Sequence, residues 1–86
     1  MPKLAWLPRF GRDYHKLAPE LTSRVQKELL QMEQNPRHPG LHVKRMQGTA
    51  DIWEARVTRS CQITFNWAGD LLLLRTVGDH DVLKHP

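Results

Sequence analysis

Cysteine is nearly absent from this chain: Cys61 stands alone. A lone thiol excludes an internal disulfide framework and a multi-cysteine zinc site. Long apolar runs are missing too. The leucine run from Leu71 to Leu74 falls far short of the roughly 20 residues that span a bilayer. The opening residues, Met1-Pro2-Lys3-Leu4-Ala5-Trp6, hold no signal-peptide apolar segment. These absences make a reducing cytoplasm the simplest home and give no reason to expect a membrane partner. With 86 residues the chain has room for one domain, spanning 1–86, and one modest core. Acidic residues are in deficit, 9 against 13 Lys and Arg, for a formal net charge of +4. Such a balance favours an anionic partner, nucleic acid, acidic protein or anionic membrane surface, although many small soluble proteins are mildly basic without one.

What is present reads as alternating order. Lys3 to Leu7 forms a short strand with Leu4 and Trp6 on one face, ended by Pro8, which cannot donate to a ladder. Phe10, Tyr14 and Leu17 then recur at helical spacing. Pro19 suits the first turn of a second helix, whose stripe is Leu21, Val25, Leu29 and Met32. Asn35-Pro36 ends it, because a residue before proline is pushed out of the helical region. After the loop 36–40, Leu41 to Met46 is expected as a short strand. Ile52 to Thr58 and Cys61 to Trp67 both alternate, separated by Arg59-Ser60 without the usual hairpin glycine. Ala68-Gly69-Asp70 turns the chain into Leu71 to Val77, whose unbroken apolar start suits a central strand. The layout is β-α-α followed by a meander, an α+β arrangement with helices covering one sheet face. The other face carries Glu54, Arg56, Thr58, Gln62, Thr64 and Asn66, either solvated or a binding surface.

Chemistry concentrates in few places. The stretch 34–50 holds Arg37, His38, His42, Lys44 and Arg45 and no acid. With Arg56 and Arg59 it could form a cationic surface for phosphates or a merely solvated basic loop. His38 and His42 have a zinc-like spacing only on a helix, which Pro39 and Gly40 oppose, so no metal is expected there. Asp79-His80-Asp81 follows Gly78 at a strand end. Its imidazole titrates near neutrality and could shuttle a proton, or the tripeptide could be an exposed polar turn. Cys61 falls on an apolar face and reads as a core thiol. Trp6, Trp53 and Trp67 read as core, with at most one left to stack on a base.

Two longer stretches carry a resemblance. His-Pro-Gly-Leu-His-Val-Lys-Arg-Met-Gln-Gly-Thr (38–49) with Asp-Ile-Trp-Glu-Ala-Arg-Val (51–57) resembles the middle of RelE/StbE-type toxins of the RelE/ParE superfamily. Gly-Asp-Leu-Leu-Leu-Leu-Arg-Thr-Val-Gly-Asp-His-Asp-Val-Leu (69–83) is similar to the last strand and tail of YafQ-type members. The resemblance implies an α+β fold with two N-terminal helices packed on one face of a four-stranded, mainly antiparallel sheet. It also implies a toxin of a type II toxin–antitoxin system, a metal-independent endoribonuclease that cuts messenger RNA in the ribosomal A site. The nucleophile there is the substrate's own 2′-OH, so no cofactor is expected. The implied partners are the ribosome with its mRNA and a cognate antitoxin offering an acidic or amphipathic segment. Antitoxins of this kind often bind operator DNA.

Carried over by position, the implied catalytic residues are His80, Arg56 and Glu54. Lys44, Arg45 and His42 of the basic stretch, with Arg59 and Gln62, are the expected RNA- or phosphate-binding residues, and Arg59 or Arg45 could compensate for the missing cation at Gln62. Glu54 departs in sign from the family's usual cation and could be a base or a partner of Arg56. Gln62 stands where many relatives place an arginine against the phosphate. Three other readings stay open: a ParE-like gyrase inhibitor, a degenerate toxin that binds antitoxin without cutting RNA, and an unrelated basic RNA-binding module.

Overall fold

A computed structural model describes residues 2–49 and 51–86. Met1, where the N-terminal reading begins, and Ala50, the last residue of the acid-free stretch, lie outside them. Strand β1 (Lys3–Trp6) leads into helix α1 (Pro8–His15) and helix α2 (Pro19–Gln34). A 3-10 turn (Pro39–Leu41) precedes β2 (Lys44–Arg45), β3 (Trp53–Thr58), β4 (Cys61–Ala68) and β5 (Leu71–Gly78), and a second 3-10 turn (His80–Leu83) follows them.

The prolines act where expected. Pro8 and Pro19 each sit in the first turn of a helix, where a missing N–H costs nothing. Asn35 is already extended, so α2 stops before Pro36. Helix α1 is shorter than its apolar spacing suggests. It ends at His15, yet Leu17 still packs against the core.

The sheet corrects the implied architecture. It has five strands in the order β1-β5-β4-β3-β2, and β1 pairs parallel with β5, Lys3 opposite Leu71 through Trp6 opposite Leu74. The helices follow a strand instead of opening the chain, and the expected strand from Leu41 to Met46 shrinks to Lys44–Arg45. Strand β5 does take the inner position its leucines favour, between β1 and β4. Where β1 ends, helix α1 takes over along that edge. The Val77 N–H donates to the Asp13 carboxylate at 3.3 Å instead of to a strand.

Two bulges explain breaks in the alternation. Thr64 pairs with Thr76 but Phe65 with Leu74, so Arg75 is extra. Leu74 and Val77 therefore both reach the helix-side core, although three residues apart. Likewise Arg56 pairs with Gln62 and Thr58 with Cys61, leaving Val57 extra beside the Arg59-Ser60 turn. Among the described non-glycine residues only His42 has positive φ, so this turn is not of the glycine-favoured primed types. The neighbouring bulge supplies added twist.

The helix-side core joins Phe10, Val25, Leu29 and Met32 to Ala55, Ile63, Phe65, Leu72, Leu74 and Val77, with Leu41 closing one end. Trp6 is not core: it is 45% exposed, edge-on to Phe10 and Tyr14. The opposite sheet face is not uniformly solvated either. Thr64 and Thr76 are 0% and 1% exposed and Gln62 is 4% exposed, because the C-terminal turn lies over them. The Asp79 carboxylate caps that turn by accepting from the Asp81 N–H at 2.9 Å. Val82 is buried against Gly78, where a Cβ would stand 3.0 Å from its Cγ1. Arg9 donates to the His85 carbonyl and Arg75 to the Pro86 carbonyl, which hold the tail's end.

Beneath this cover the Thr64 and Thr76 hydroxyls hydrogen-bond to each other. Replacing one by valine strands the other hydroxyl in a dry place. Thr64→Val should cost about 1–3 kcal/mol, and the double Thr64→Val/Thr76→Val chain should recover part of that loss. Urea unfolding of the two single variants and the double variant checks it; additive losses would contradict the pairing.

Candidate functional site

On the polar sheet face, β2, β3, the start of β4 and the C-terminal turn enclose a cleft of about 410 Å³. His42, Lys44, Glu54, Arg56, Gln62 and His80 line it, with Val43 and Leu83. Strand geometry accounts for the grouping. Lys44 pairs across the ladder with Glu54, and Arg56 with Gln62, so all four side chains leave the same face. The capped turn after Gly78 brings His80 over them. His80 is exposed, so its imidazole is open to solvent.

Six of the eight residues singled out from the sequence thus meet in one cleft. Arg45 and Arg59 do not line it. Arg45 pairs with Trp53, which puts it on the helix-side face, while Arg59 occupies the exposed hairpin turn. Glu54 is held by Lys44, Nζ to Oε1 at 3.2 Å, rather than by Arg56. Its carboxylate is mostly covered, 13% exposed against 69% for the Lys44 side chain. Such a half-exposed pair adds at most about 1 kcal/mol and biases the ammonium towards the cleft side of Glu54. Arg56 is exposed and faces the cleft, free of any ion pair to Glu54 among the described residues. Gln62 is the least adaptable member. Its amide donates to the Arg59 carbonyl at 3.5 Å, and its buried Oε1 has no partner among the described residues.

His42 has φ 49° and ψ 47°, the left-handed region, where it ends the first 3-10 turn. Histidine is among the residues that tolerate this conformation, at a cost. His38 caps the same turn, its Nδ1 accepting from the Gly40 N–H at 3.0 Å. His38 and His42 are therefore held by loop geometry, not by a helix. Cys61 is buried, and burial first, then the Glu28 and Asp79 carboxylates, push its thiol up. It stays protonated and is a poor nucleophile.

Glu28 went unnoticed in the sequence reading. It stands three residues after Val25 and four before Met32, at the flank of the α2 apolar stripe, and that spacing was the available signal. One of its oxygens is buried without a partner among the described residues, and burial raises the carboxyl from its ordinary 4.5 to about 7.

No family model matches the chain, and no curated protein matches it by sequence. Solved structures do. YafQ from Escherichia coli strain BL21(DE3) superposes with a TM-score of 0.77 at 16% identity, covering 96% of this chain and 98% of YafQ. The RelB-RelE antitoxin–toxin complex of Methanococcus jannaschii gives 0.76 at 15% identity, covering 92% and 93%. The YoeB/ParE toxin from Agrobacterium tumefaciens gives 0.75 at 17% identity, covering 91% and 98%. The fold is that of the RelE-like toxins. At this identity the match fixes the arrangement of strands and helices in space, and the chemistry must be read from the chain's own cleft.

Glu28 supplies a test of the described geometry. Below pH 4.5 it is protonated folded and unfolded and costs nothing. As pH rises towards 7 the unfolded chain ionises first, so Glu28 progressively destabilises the fold, fully so above 7. Glu28→Gln should gain stability relative to the native chain between pH 4.5 and 8. Paired urea midpoints at the two pH values measure it; a difference that does not change with pH would contradict the burial.

Proposed function

We propose that the chain is the toxin of a toxin–antitoxin pair and cleaves messenger RNA on the ribosome, in the cytoplasm, by attack of the substrate's 2′-OH on the adjacent phosphate. The observation that carries this reading is the convergence of His80, Arg56, His42 and Lys44 in one cleft of a RelE-like fold. The reaction closes a 2′,3′-cyclic phosphate and releases a 5′-OH. It needs a base for the 2′-OH, a proton for the leaving oxygen and positive charge at the phosphate. Arg56 is the exposed guanidinium of the cleft and can hold the phosphate through two parallel N–H bonds. His80 is the acid–base group, reaching in from the capped turn. Glu54 holds Lys44 in place, so that the ammonium adds to the phosphate's field. The ribosome presents the mRNA already positioned, which supplies orientation that a shallow cleft cannot.

The partner proposed for regulation is an antitoxin whose acidic or amphipathic segment covers the basic cleft; the complex then reaches operator DNA through the antitoxin. A second reading, binding antitoxin without cutting, is favoured by Gln62, which is neutral and buried where the cleft would gain from a cation. Inducing the chain in cells and mapping mRNA 5′ ends separates the possibilities. Cuts within translated frames support cleavage, no cuts support the second reading, and DNA damage without cuts indicates gyrase inhibition.

His80→Ala should lower single-turnover cleavage on ribosomes by about a hundredfold or more, with the melting temperature held, because the side chain is exposed. A folded His80→Ala chain cutting at the native rate would move the acid–base role to Glu54.

Lys44→Glu should weaken ribosome binding and flatten its salt dependence, and it should also cost stability by placing two carboxylates together at Glu54. Binding assays at three salt concentrations measure the first effect and thermal melts the second.

A further inference from the structure

A larger cleft, about 810 Å³, opens on the other side of the β2 edge. Its volume lies within the roughly 300–1,000 Å³ typical of small-ligand sites. Trp53 and Trp67 line it together with Val43, Arg37, His38 and His42. Both indoles are half-buried. Trp67 is braced edge-on against Phe65, ring centroids 6.5 Å apart at 78°. Trp67 therefore offers an aromatic surface that is already braced before anything binds.

We infer that this cleft takes an unpaired nucleobase of the RNA strand whose phosphate lies in the cleft around Arg56 and His80. The inference rests on the cleavage reading above. Three observations support it. His42 and Val43 line both clefts, so a strand leaving one enters the other over the short β2 edge. No acidic residue lines the larger cleft, while a guanidinium and two imidazoles do, which suits a phosphodiester. Indole surfaces stack on any base, since every base has a π-face. An aliphatic anchor from a protein partner would fill the apolar part but leave the Arg37 guanidinium and the imidazole donors unanswered. A nucleotide satisfies all of these at once.

The test uses the whole native chain and a short 2′-O-methyl oligoribonucleotide, which cannot be cleaved because the nucleophile is blocked. Its titration should quench tryptophan fluorescence. An abasic oligonucleotide of equal charge should bind about tenfold more weakly or worse. Trp67→Leu, which fills space without stacking, should erase the difference between the two oligonucleotides, and Trp67→Phe should retain most of it. Arg37→Glu, at an exposed position, should weaken both equally. The abasic comparison needs no variant, so it decides the matter even if Trp67→Leu fails to fold. Equal affinity for the intact and abasic strands overturns the inference, as does quenching by an acidic amphipathic peptide but not by RNA. Base-dependent quenching without ribosomal cleavage would uphold the cleft and sink the cleavage reading; cleavage with equal affinities would do the reverse.

Discussion

Five consecutive residues of β4, Cys61 to Phe65, are buried, and a strand covered on both faces needs two covers. Helices α1 and α2 supply one over Ile63 and Phe65. The chain's end supplies the other over Gln62 and Thr64, through the capped turn at Asp79, Val82 seated on Gly78 and the arginine contacts of the tail. Burying a polar face is tolerable only where its groups find partners. The Thr64–Thr76 pair meets that condition and thereby fixes the register of β4 against β5. That same cover carries His80 to the cleft, so the site's geometry follows from how the sheet centre is kept dry.

The local signals in the sequence were reliable because each has a local cause. Pro8, Pro19 and Asn35-Pro36 mark element ends through φ restriction and a missing donor, and the α2 stripe and the strand alternations follow from side-chain periodicity. The misjudged features are those set by residues far apart in the chain. Nothing near Lys3 announces that it will lie parallel to Leu71. The strand expected from Leu41 to Met46 narrows to Lys44–Arg45 because the 3-10 turn and its left-handed end at His42 take up the residues before it. Alternation alone put Thr64 on a solvent-facing surface, and only the folded tail reveals that the surface is covered.

The candidate site was legible to the same extent. Residues Glu54, Arg56 and Gln62 alternate on β3 and β4, so their common face could be read directly. Lys44 and Arg45 are adjacent on a strand and must point to opposite faces, so the basic stretch divides between two surfaces instead of forming one. Arg59 projects from a turn, where spacing predicts no face at all. Burial, not residue type, sets the remaining roles: it makes Cys61 an inert thiol and makes Glu28 a carboxyl that resists ionising.

The division of the basic stretch has a mechanical consequence. His42 sits at the point of division, held in a left-handed conformation between the 3-10 turn and β2, and it borders both clefts. A flexible residue there would let the two clefts shift relative to each other. His42 marks the shared border, and its single imidazole lies where the two clefts meet. Strain of this kind persists only where the surroundings over-determine it. Here the buried Leu41 behind and the β2–β3 ladder ahead do so. The basic stretch is thus anchored on both sides of His42, by Leu41 in the core and by the ladder to β3.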